Sequence, residues 1–294
     1  MKVSQAGNRY VLLTPTRNEE KYIPETIAAV VHQEIKPIQW IIIDDASTDR
    51  TPEIIAEAAQ KYTWIKIVSR QGCHRHNFSS VVENYELGIK KLKTDDYDFI
   101  GLLDSDVRFA PDYFSQLMKR LQMNAEFGLV GGLVIDKGRN PRLPLNLQDI
   151  PGATQFYRRE CFQALGRIIP VPEGGWDTLT CFQARMAGYK TKLFPDLKVE
   201  HLKPRNASQG LLFKRYFQFG MRDYAVGYHP VFEFIKCLVR LTEYPFIIGA
   251  LCRWSGYCFY LLKRKKRIIP SDLLEFIRKE QLHRIKLSQL GSHI

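Results

Sequence analysis

Two carboxylates separated by one residue, Asp104 and Asp106, are the most chemically specific feature of this sequence. They follow the apolar run Phe99–Leu103, which is typical of a buried strand. Carboxylates at positions i and i+2 in a turn that leaves a sheet can share one Mg²⁺ or Mn²⁺ with a diphosphate, because these cations prefer oxygen ligands and substrate phosphates. The same aspartates could instead form a turn or cap a helix beginning near Pro111. A second pair of aspartates, at the end of an earlier predicted strand, favours the metal site.

That second acidic segment, D-D-A-S-T-D at 44–49, follows the β-branched run Trp40–Ile43. Asp49 or Thr51 could cap the helix that comes next, because Asp and Thr are common N-cap residues. Both roles can hold in one segment, with Asp45 facing a ligand while its neighbours begin the helix. The segment therefore indicates a binding site beside a helix N-terminus.

Apolar runs alternate with helical patterns from residue 10 to about residue 136, and this order predicts an α/β fold. The predicted strands are Tyr10–Thr14, Trp40–Ile43, Trp64–Val68 and Phe99–Leu103, and the predicted helices are Pro24–Gln33, Pro52–Lys61 and Ser80–Leu92. Continuous apolar strands between helices indicate a mostly parallel sheet flanked by helices, and ligands bind beyond the carboxyl ends of such strands. No glycine-rich dinucleotide fingerprint or P-loop follows the first strand, which argues against both classes.

Three segments together resemble family-2 glycosyltransferases, which have the GT-A fold. They are T-P-T-R-N-E-E at 14–20, D-D-A-S-T-D at 44–49 and D-S-D at 104–106, and the resemblance covers roughly residues 9–205. It implies a nucleotide-sugar donor and a metal-dependent transfer that inverts the anomeric centre. The nucleotide-binding residues that it implies are Pro15, Thr16, Arg17, Glu19, Asp45 and Asp104, with Asp45 on the base, Asp104 on the ribose and Asp106 on the metal.

The resemblance also implies a catalytic base. Relatives carry an acidic pair about twelve residues before an A-G-Y motif, and that motif stands here at 187–189. Counting back from Gly188 places Asp177 on the second acid and Trp176 on the first. The second acid is the expected general base, so this role survives the departure from the motif. Asp177 also suits a simple helix N-cap, which is the alternative.

Two further positions bear on the site. His201 ends another predicted strand, and the resemblance suggests that its imidazole completes the metal site, although a lone histidine is more often structural. Near Asn84 many relatives carry an arginine that reaches the diphosphate or base, whereas the neighbour here is Glu83. Arg75 and His76 are the candidates to replace that arginine.

The charge of the chain is concentrated in its last third. The 294 residues carry a net charge of +12, yet residues 203–294 hold 17 Lys or Arg against 6 Asp or Glu, while the rest holds 26 against 25. Such asymmetry indicates contact with the phosphates of nucleic acid or of lipids. Nucleic acid is disfavoured because no known reading motif is present. Six cysteines without CxxC spacing, and an N-terminus without an apolar signal core, predict a reduced, cytosolic compartment for the enzyme part.

We therefore expect two regions, a GT-A nucleotide-sugar transferase domain over 1–205 and a basic, apolar helical region over 206–294. In the second region Phe246–Leu262 is apolar except for Arg253 and is followed by the basic run Lys263–Arg267. A central arginine costs about 2.5–3.5 kcal/mol in a membrane span. An interfacial or re-entrant hairpin is therefore favoured over a span, with a soluble helical subdomain as the alternative. A polar helix stripe is predicted at Glu233, Lys236, Arg240 and Glu243.

These observations predict a non-processive hexosyltransferase on the cytoplasmic face of the cell membrane, peripheral or integral. The Q-x-x-R-W motif of processive synthases is absent, and apolar segments are too few to conduct a polymer. The expected partners are a nucleotide-sugar donor, a lipid-linked or surface-polysaccharide acceptor and an anionic membrane, with Mg²⁺ or Mn²⁺ as cofactor. A nucleotidyltransferase would want a glycine-rich phosphate loop after the first strand. An inactive nucleotide-sugar-binding scaffold remains an alternative.

Overall fold

Two compact units make up the chain. The computed structural model describes residues 7–70, 78–138, 146–203 and 209–290. The first unit comprises residues 1–76, 80–168 and 183–205, and the second comprises residues 77–79, 169–182 and 206–294. The short segment 169–182, which carries Asp177, thus belongs with the C-terminal helices.

The first unit is built on one mixed sheet. Within the described residues its strands are β1 Tyr10–Thr16, β2 Gln39–Asp45, β3 Ile65–Arg70, β4 Phe99–Leu103, β5 Val107–Phe109, β6 Phe127–Asp136, β7 Thr154–Arg158 and β8 Lys190–His201. Its helices are α1 Ile23–Val31, α2 Thr51–Lys61, α3 Ser79–Lys90, α4 Tyr113–Met123 and α5 Arg159–Ala164, and α6 Trp176–Met186 contributes its C-terminal part. The strand order is β3-β2-β1-β4-β7-β6-β8-β5.

The half of the sheet predicted from continuous apolar runs is parallel. β3, β2, β1 and β4 pair in parallel, whereas β7 runs antiparallel to both β4 and β6. β8 is parallel to β6, and the short edge strand β5 is antiparallel to β8. The predicted α/β class is confirmed, and the sheet is more mixed than the apolar runs alone indicated.

Aromatic side chains fill the core beside the parallel strands. The rings of Tyr10 and Phe114 lie 4.9 Å apart between centroids, and Tyr10 also contacts Phe156 edge-on at 5.8 Å. The fully buried Trp40 donates its indole N–H to Thr14 Oγ1 at 2.9 Å, so its polar atom is satisfied. A dense, satisfied core of this kind holds the strand ends in fixed positions.

The second unit is helical and contains α7 Gln209–Ala225, α8 Pro230–Val239, α9 Ile247–Leu262 and α10 Ser271–Leu290. Helices α7 and α9 approach each other closely at two glycines. A Cβ on Gly256 would lie 2.0 Å from the carbonyl oxygen of Phe217, and one on Gly220 would lie 1.8 Å from that of Arg253. Only glycine allows the two backbones to come this near.

Four charged side chains form an ion-pair network inside this unit. Asp223 of α7 accepts from Lys236 of α8 at 3.0 Å and also from Arg253 of α9. The Nε of Arg253 donates to Glu233 of α8 at 3.0 Å. Asp223, Glu233 and Arg253 are buried, so the network joins three helices through fully desolvated charges.

This network corrects the prediction of a polar stripe on one helix. α8 ends at Val239, so Arg240 and Glu243 lie beyond it and pair with each other at 2.7 Å. The remaining two stripe residues, Glu233 and Lys236, point at partners on α7 and α9 instead of at water. Spacing alone could not show this, because the partners lie on other helices.

The apolar surface of α8 and α9 is extensive. Among the described helices none is long and apolar enough to cross a membrane. Large apolar side chains are nevertheless exposed along these two helices and just before α9, namely Val231, Phe234, Leu238, Val239, Phe246, Ile247, Ile248, Leu251, Phe259 and Leu262. We call this set the apolar face. The exposed residues Lys263–Lys266 follow it directly.

Candidate metal and nucleotide site

The carboxyl ends of β1, β2 and β4 lie side by side at one edge of the sheet. β1 pairs with β2 such that Thr16 lies opposite Asp44, and with β4 such that Leu13 lies opposite Leu102. The segments that follow these strands therefore meet at one edge, as the sequence predicted. In open α/β sheets this edge is where ligands bind.

Three side chains at this edge form a group that could hold a metal ion. One donor atom from each of Asp104, Asp106 and His201 can be chosen so that all three lie within 4.8 Å of one another. The Nε2 of His201 lies 3.4 Å from Oδ2 of Asp106. Asp106 is buried, whereas Asp104 and His201 are partly exposed, so the group opens to solvent on one side.

The fold brings these residues together through the edge strand β5. β5 begins directly after the D-S-D turn and pairs with β8, with Val107 opposite His201. The amide of Leu202 donates to the carbonyl of Asp106 at 2.8 Å. On the other side, the hydroxyl of Thr26 in α1 donates to the Ser105 carbonyl at 2.8 Å. The turn is thus fixed from both sides.

The donor set fits a divalent cation. Carboxylates and an imidazole are ligands that Mn²⁺ accepts readily, and two or three protein ligands leave positions for water and phosphate oxygens. Nδ1 of His201 lies 3.1 Å from the carbonyl oxygen of Lys203. Since a carbonyl only accepts, Nδ1 is the donor in this contact, which leaves Nε2, on the Asp106 side, as the ring atom that can bind a metal. The helix-cap alternative finds no support, because the N-cap residue of α4 is Asp112.

Hydrogen bonds between side chains and backbone join the loop after β1 to the end of β2 and to the start of α2. Arg17 donates to the carbonyl of Asp45 at 3.0 Å, and the amide of Glu19 donates to Thr51 Oγ1 at 2.8 Å. Asp49 accepts from the amide of Thr51 at 3.0 Å, but the N-cap residue of α2 is Arg50, so neither Asp49 nor Thr51 is the N-cap that the sequence suggested. Arg17, Glu19 and Asp45 therefore share one rigid corner of the unit.

The other predicted nucleotide-binding residues of β1 lie at the same edge. Thr16 is the last residue of β1 and is buried, and Pro15 beside it is partly exposed. The two candidates for the missing arginine, Arg75 and His76, lie outside the described residues.

An arginine that sequence reasoning missed stands beside Asp45. Arg70, the last residue of β3, has its guanidinium 3.9 Å from Oδ1 of Asp45. It also donates to Asn84 at 3.3 Å and to Glu83 at 2.5 Å. β3 thus supplies a cation in contact with Asn84 and Glu83, near which the resemblance would place an arginine. Its place at a strand end was the only available signal.

A lysine next to the metal group was also missed. The Nζ of Lys203 lies 2.5 Å from Oε1 of Glu19. Burial raises the pKa of the Glu19 carboxyl above its ordinary value, although Lys203 opposes this shift. Lys203 follows His201 by two residues, and it places a positive charge at the edge where a diphosphate would lie.

Asp177 belongs to the second unit and is the second residue of α6. Its Oδ1 accepts from the amide of Thr178 at 2.8 Å, and the side chain remains partly exposed. Gly174 and Gly175, just before the helix, have φ angles of +89° and +95°, which other residues rarely adopt. The carboxylate is therefore held at a helix N-terminus by a tight glycine turn.

Comparisons with known proteins agree with this architecture. The sequence profile of glycosyl transferase family 2 matches residues 11–176. EpsH of Bacillus subtilis (strain 168), which carries a provisional assignment as a glycosyltransferase, is 29% identical over 111 residues, spanning 37% of this chain and 29% of EpsH.

Two solved structures share the fold at 15% identity. The mannosyltransferase PcManGT from Pyrobaculum calidifontis, in complex with GDP-Man and Mn²⁺, has a TM-score of 0.59, covering 97% of this chain and 81% of that one. Residues 1–349 of TarS from S. aureus, in complex with UDP-GlcNAc, have a TM-score of 0.56, covering 72% and 65%.

Proposed function

Because the chain belongs to glycosyl transferase family 2, we propose that it moves one sugar at a time from a nucleotide-sugar donor to an acceptor hydroxyl, with inversion at the anomeric carbon. The grouping of Asp104, Asp106 and His201 beyond the carboxyl ends of the parallel strands is the observation that carries this proposal. The two solved structures described above contain nucleotide sugars, and one contains Mn²⁺, which supports the choice of donor and cofactor.

The donor occupies the sheet edge in this proposal. Asp45 accepts a hydrogen bond from the base, and Arg70 beside it contributes positive charge. Pro15, Thr16, Arg17 and Glu19 line the same pocket, and Asp104 holds the ribose. When bound at Asp106 and His201, Mn²⁺ or Mg²⁺ neutralises the charge that develops on the leaving diphosphate.

Asp177 acts as the general base. It takes the proton from the acceptor hydroxyl, whose oxygen attacks the anomeric carbon from the face opposite the leaving nucleoside diphosphate. A carboxylate that already accepts one hydrogen bond from Thr178 keeps its orientation while its other oxygen receives the proton. This assignment rests on the count from Gly188 and on the position of Asp177 at a helix N-terminus.

The acceptor is lipid-linked or a growing surface polysaccharide, and the reaction takes place at the cytoplasmic face of the cell membrane. The apolar face of α8 and α9 and the adjoining exposed residues Lys263–Lys266 support this location. Apolar side chains next to a basic cluster are the combination that binds the interface of an anionic bilayer.

A binding experiment with Asp106→Asn tests the site. We expect UDP or GDP to bind the wild-type protein in the presence of Mn²⁺ and the variant to lose this metal-dependent binding, because one ligand loses its charge. Calorimetry with and without EDTA measures the effect, and circular dichroism checks the fold. The partly exposed Asp112→Asn is the matched control, since Asp112 follows β5 without belonging to the metal group. Unchanged metal-dependent binding in Asp106→Asn contradicts the proposal.

A further inference from the structure

A cavity of about 600 Å³ in the second unit has a strongly basic wall. Lys265, Lys266 and Arg267 line it, together with the single carboxylate of Glu173. Three cations against one anion leave a surplus of positive charge in a concave space. The metal group and the predicted nucleotide-binding residues belong to the first unit, so the proposed donor site does not account for this cavity.

The basic wall is held in place by Tyr224 of α7. The Nε of Arg267 donates to the carbonyl of Tyr224 at 2.9 Å, and the guanidinium lies 3.8 Å from the centroid of the Tyr224 ring. The Tyr224 hydroxyl in turn donates to the carbonyl of Lys265 at 3.1 Å. The backbone of Lys265 and the side chain of Arg267 are thus both held by one buried tyrosine, so the residues on either side of Lys266 are fixed in place.

The cavity lining also offers a hydrogen-bond acceptor. Glu173 accepts from the hydroxyl of Tyr260 at 2.9 Å through Oε1. Glu173 also lies four residues before Asp177, and the glycine turn lies between them. A ligand that carries a phosphate and a hydroxyl group matches this arrangement, because the cations suit the phosphate and the carboxylate suits the hydroxyl.

We propose that this cavity binds the phosphate or diphosphate ester of the acceptor, so that the acceptor is a phosphorylated molecule. The inference rests on the proposed function, and it adds the class of acceptor and the residues that recognise it. Lys265, Lys266 and Arg267 contact the phosphate oxygens, and Glu173 contacts a neighbouring hydroxyl. The phosphate can come from a soluble ester or from a lipid headgroup, and the experiment separates the two sources.

The test compares two double variants with equal charge change. Lys265→Gln/Lys266→Gln removes two cations of the cavity, whereas Lys263→Gln/Arg264→Gln removes two cations of the same basic run that do not line it. Inorganic pyrophosphate, titrated calorimetrically in EDTA so that no metal site competes, is the soluble probe. Sedimentation with phosphatidylglycerol vesicles is the membrane probe.

We expect the cavity variant to bind pyrophosphate at least about tenfold more weakly, because charge-assisted hydrogen bonds are lost. The control variant should bind pyrophosphate within about twofold of wild type. An equal loss of vesicle binding in both variants identifies a soluble ester as the source of the phosphate, since surface charge acts at a distance. A larger loss in the cavity variant identifies a lipid headgroup. If the wild-type protein does not bind pyrophosphate, or if both variants bind it equally weakly, the cavity is not a phosphate site. The basic run then contacts only the bilayer.

The same proteins separate this inference from the proposed function. Binding of UDP or GDP with Mn²⁺ should be unchanged in both double variants, because the metal group belongs to the first unit. Metal-dependent nucleotide binding without any pyrophosphate site overturns the inference alone. If pyrophosphate binding depends on the cavity residues but the protein binds no nucleotide with Mn²⁺, the proposed function is wrong and the anion site still stands.

Discussion

The residues at the edge of the sheet differ in how far the sequence alone revealed them. Asp45, Asp104 and Asp106 were readable because each follows a continuous apolar run, and strand ends are where chemistry is expected. Arg70 and Lys203 were missed because a single basic residue carries no distinguishing pattern. Their relevance comes from contacts with Asp45 and Glu19, which lie far away in the sequence.

Asp177 and Asp45 are expected to give opposite signatures when each is changed to asparagine. Asp177→Asn retains an acceptor for the Thr178 amide, so stability and donor affinity should stay near wild type. Transfer should fall by at least about a hundredfold, since a general base contributes typically 10²–10⁴-fold. Asp45→Asn should weaken donor binding first. One donor titration and one rate assay per variant measure both effects. Transfer at the wild-type rate by Asp177→Asn would place the base elsewhere.

The helices and strands that were predicted from the sequence are those with a clear hydrophobic pattern. β1 to β4 and α1 to α3 were predicted because buried parallel strands read as uninterrupted apolar runs. β5 has only three residues and was not predicted. Of the 12-residue β8 only the end at His201 was predicted, because an irregularity opposite Gly132 and Leu133 interrupts its period. The ion-pair network of α7, α8 and α9 could not be predicted from the sequence either, because pairing between different helices leaves no local sequence pattern.

That network predicts a pH-dependent contribution to stability. Burial alone would raise the pKa of Asp223, but Arg253, Lys236 and Arg222 outweigh it and hold this pKa well below its usual range. As the pH falls, Asp223 is protonated near pH 4 in the unfolded chain but stays ionised in the folded chain. The stabilisation is therefore present above that pH and is lost progressively below it.

Asp223→Asn should lower the free energy of unfolding by about 3–5 kcal/mol at pH 7, because it leaves buried cations without their carboxylate. The difference from wild type should shrink as the pH falls below about 4. Urea denaturation at pH 7, 5 and 3.5 measures it, with the exposed Asp272→Asn as the matched control. A difference that does not change over this range would show that the charge of Asp223 does not stabilise the fold.

For the whole molecule, the charge distribution and the apolar face favour the proposed location at a membrane surface. The excess of basic residues lies in the last third of the chain, and the large exposed apolar side chains of α8 and α9 adjoin the basic run. The sequence alone indicates this combination of an apolar segment and a basic run. It did not indicate that Arg253 points inward, which leaves the outer surface of α9 apolar.

We expect purified protein to sediment with anionic vesicles. Neutralising Lys263–Lys266 should weaken this binding, with the largest loss at low salt, since each basic residue contributes about 1 kcal/mol and is screened over a Debye length. Ile247→Ser/Ile248→Ser should weaken it at every salt concentration, because both side chains are exposed and apolar. Lys90→Gln/Lys91→Gln in the first unit is the control. Protein that stays monodisperse without detergent and ignores such vesicles would contradict the membrane location.

Because the strand β5 has only three residues, a metal bound beside it would also affect the stability of this edge of the sheet. Asp106 and His201 are about 95 residues apart in the sequence and meet only because β5 pairs with β8. A cation held by both side chains would act as a reversible cross-link on an edge strand that is otherwise held by its short ladder with β8 and by hydrogen bonds to Thr26. Hydrogen–deuterium exchange of the amides of Val107 and Leu202 should therefore slow as Mn²⁺ is added and should not respond in Asp106→Asn. Catalytic competence and the closure of this edge would then depend on the same ion.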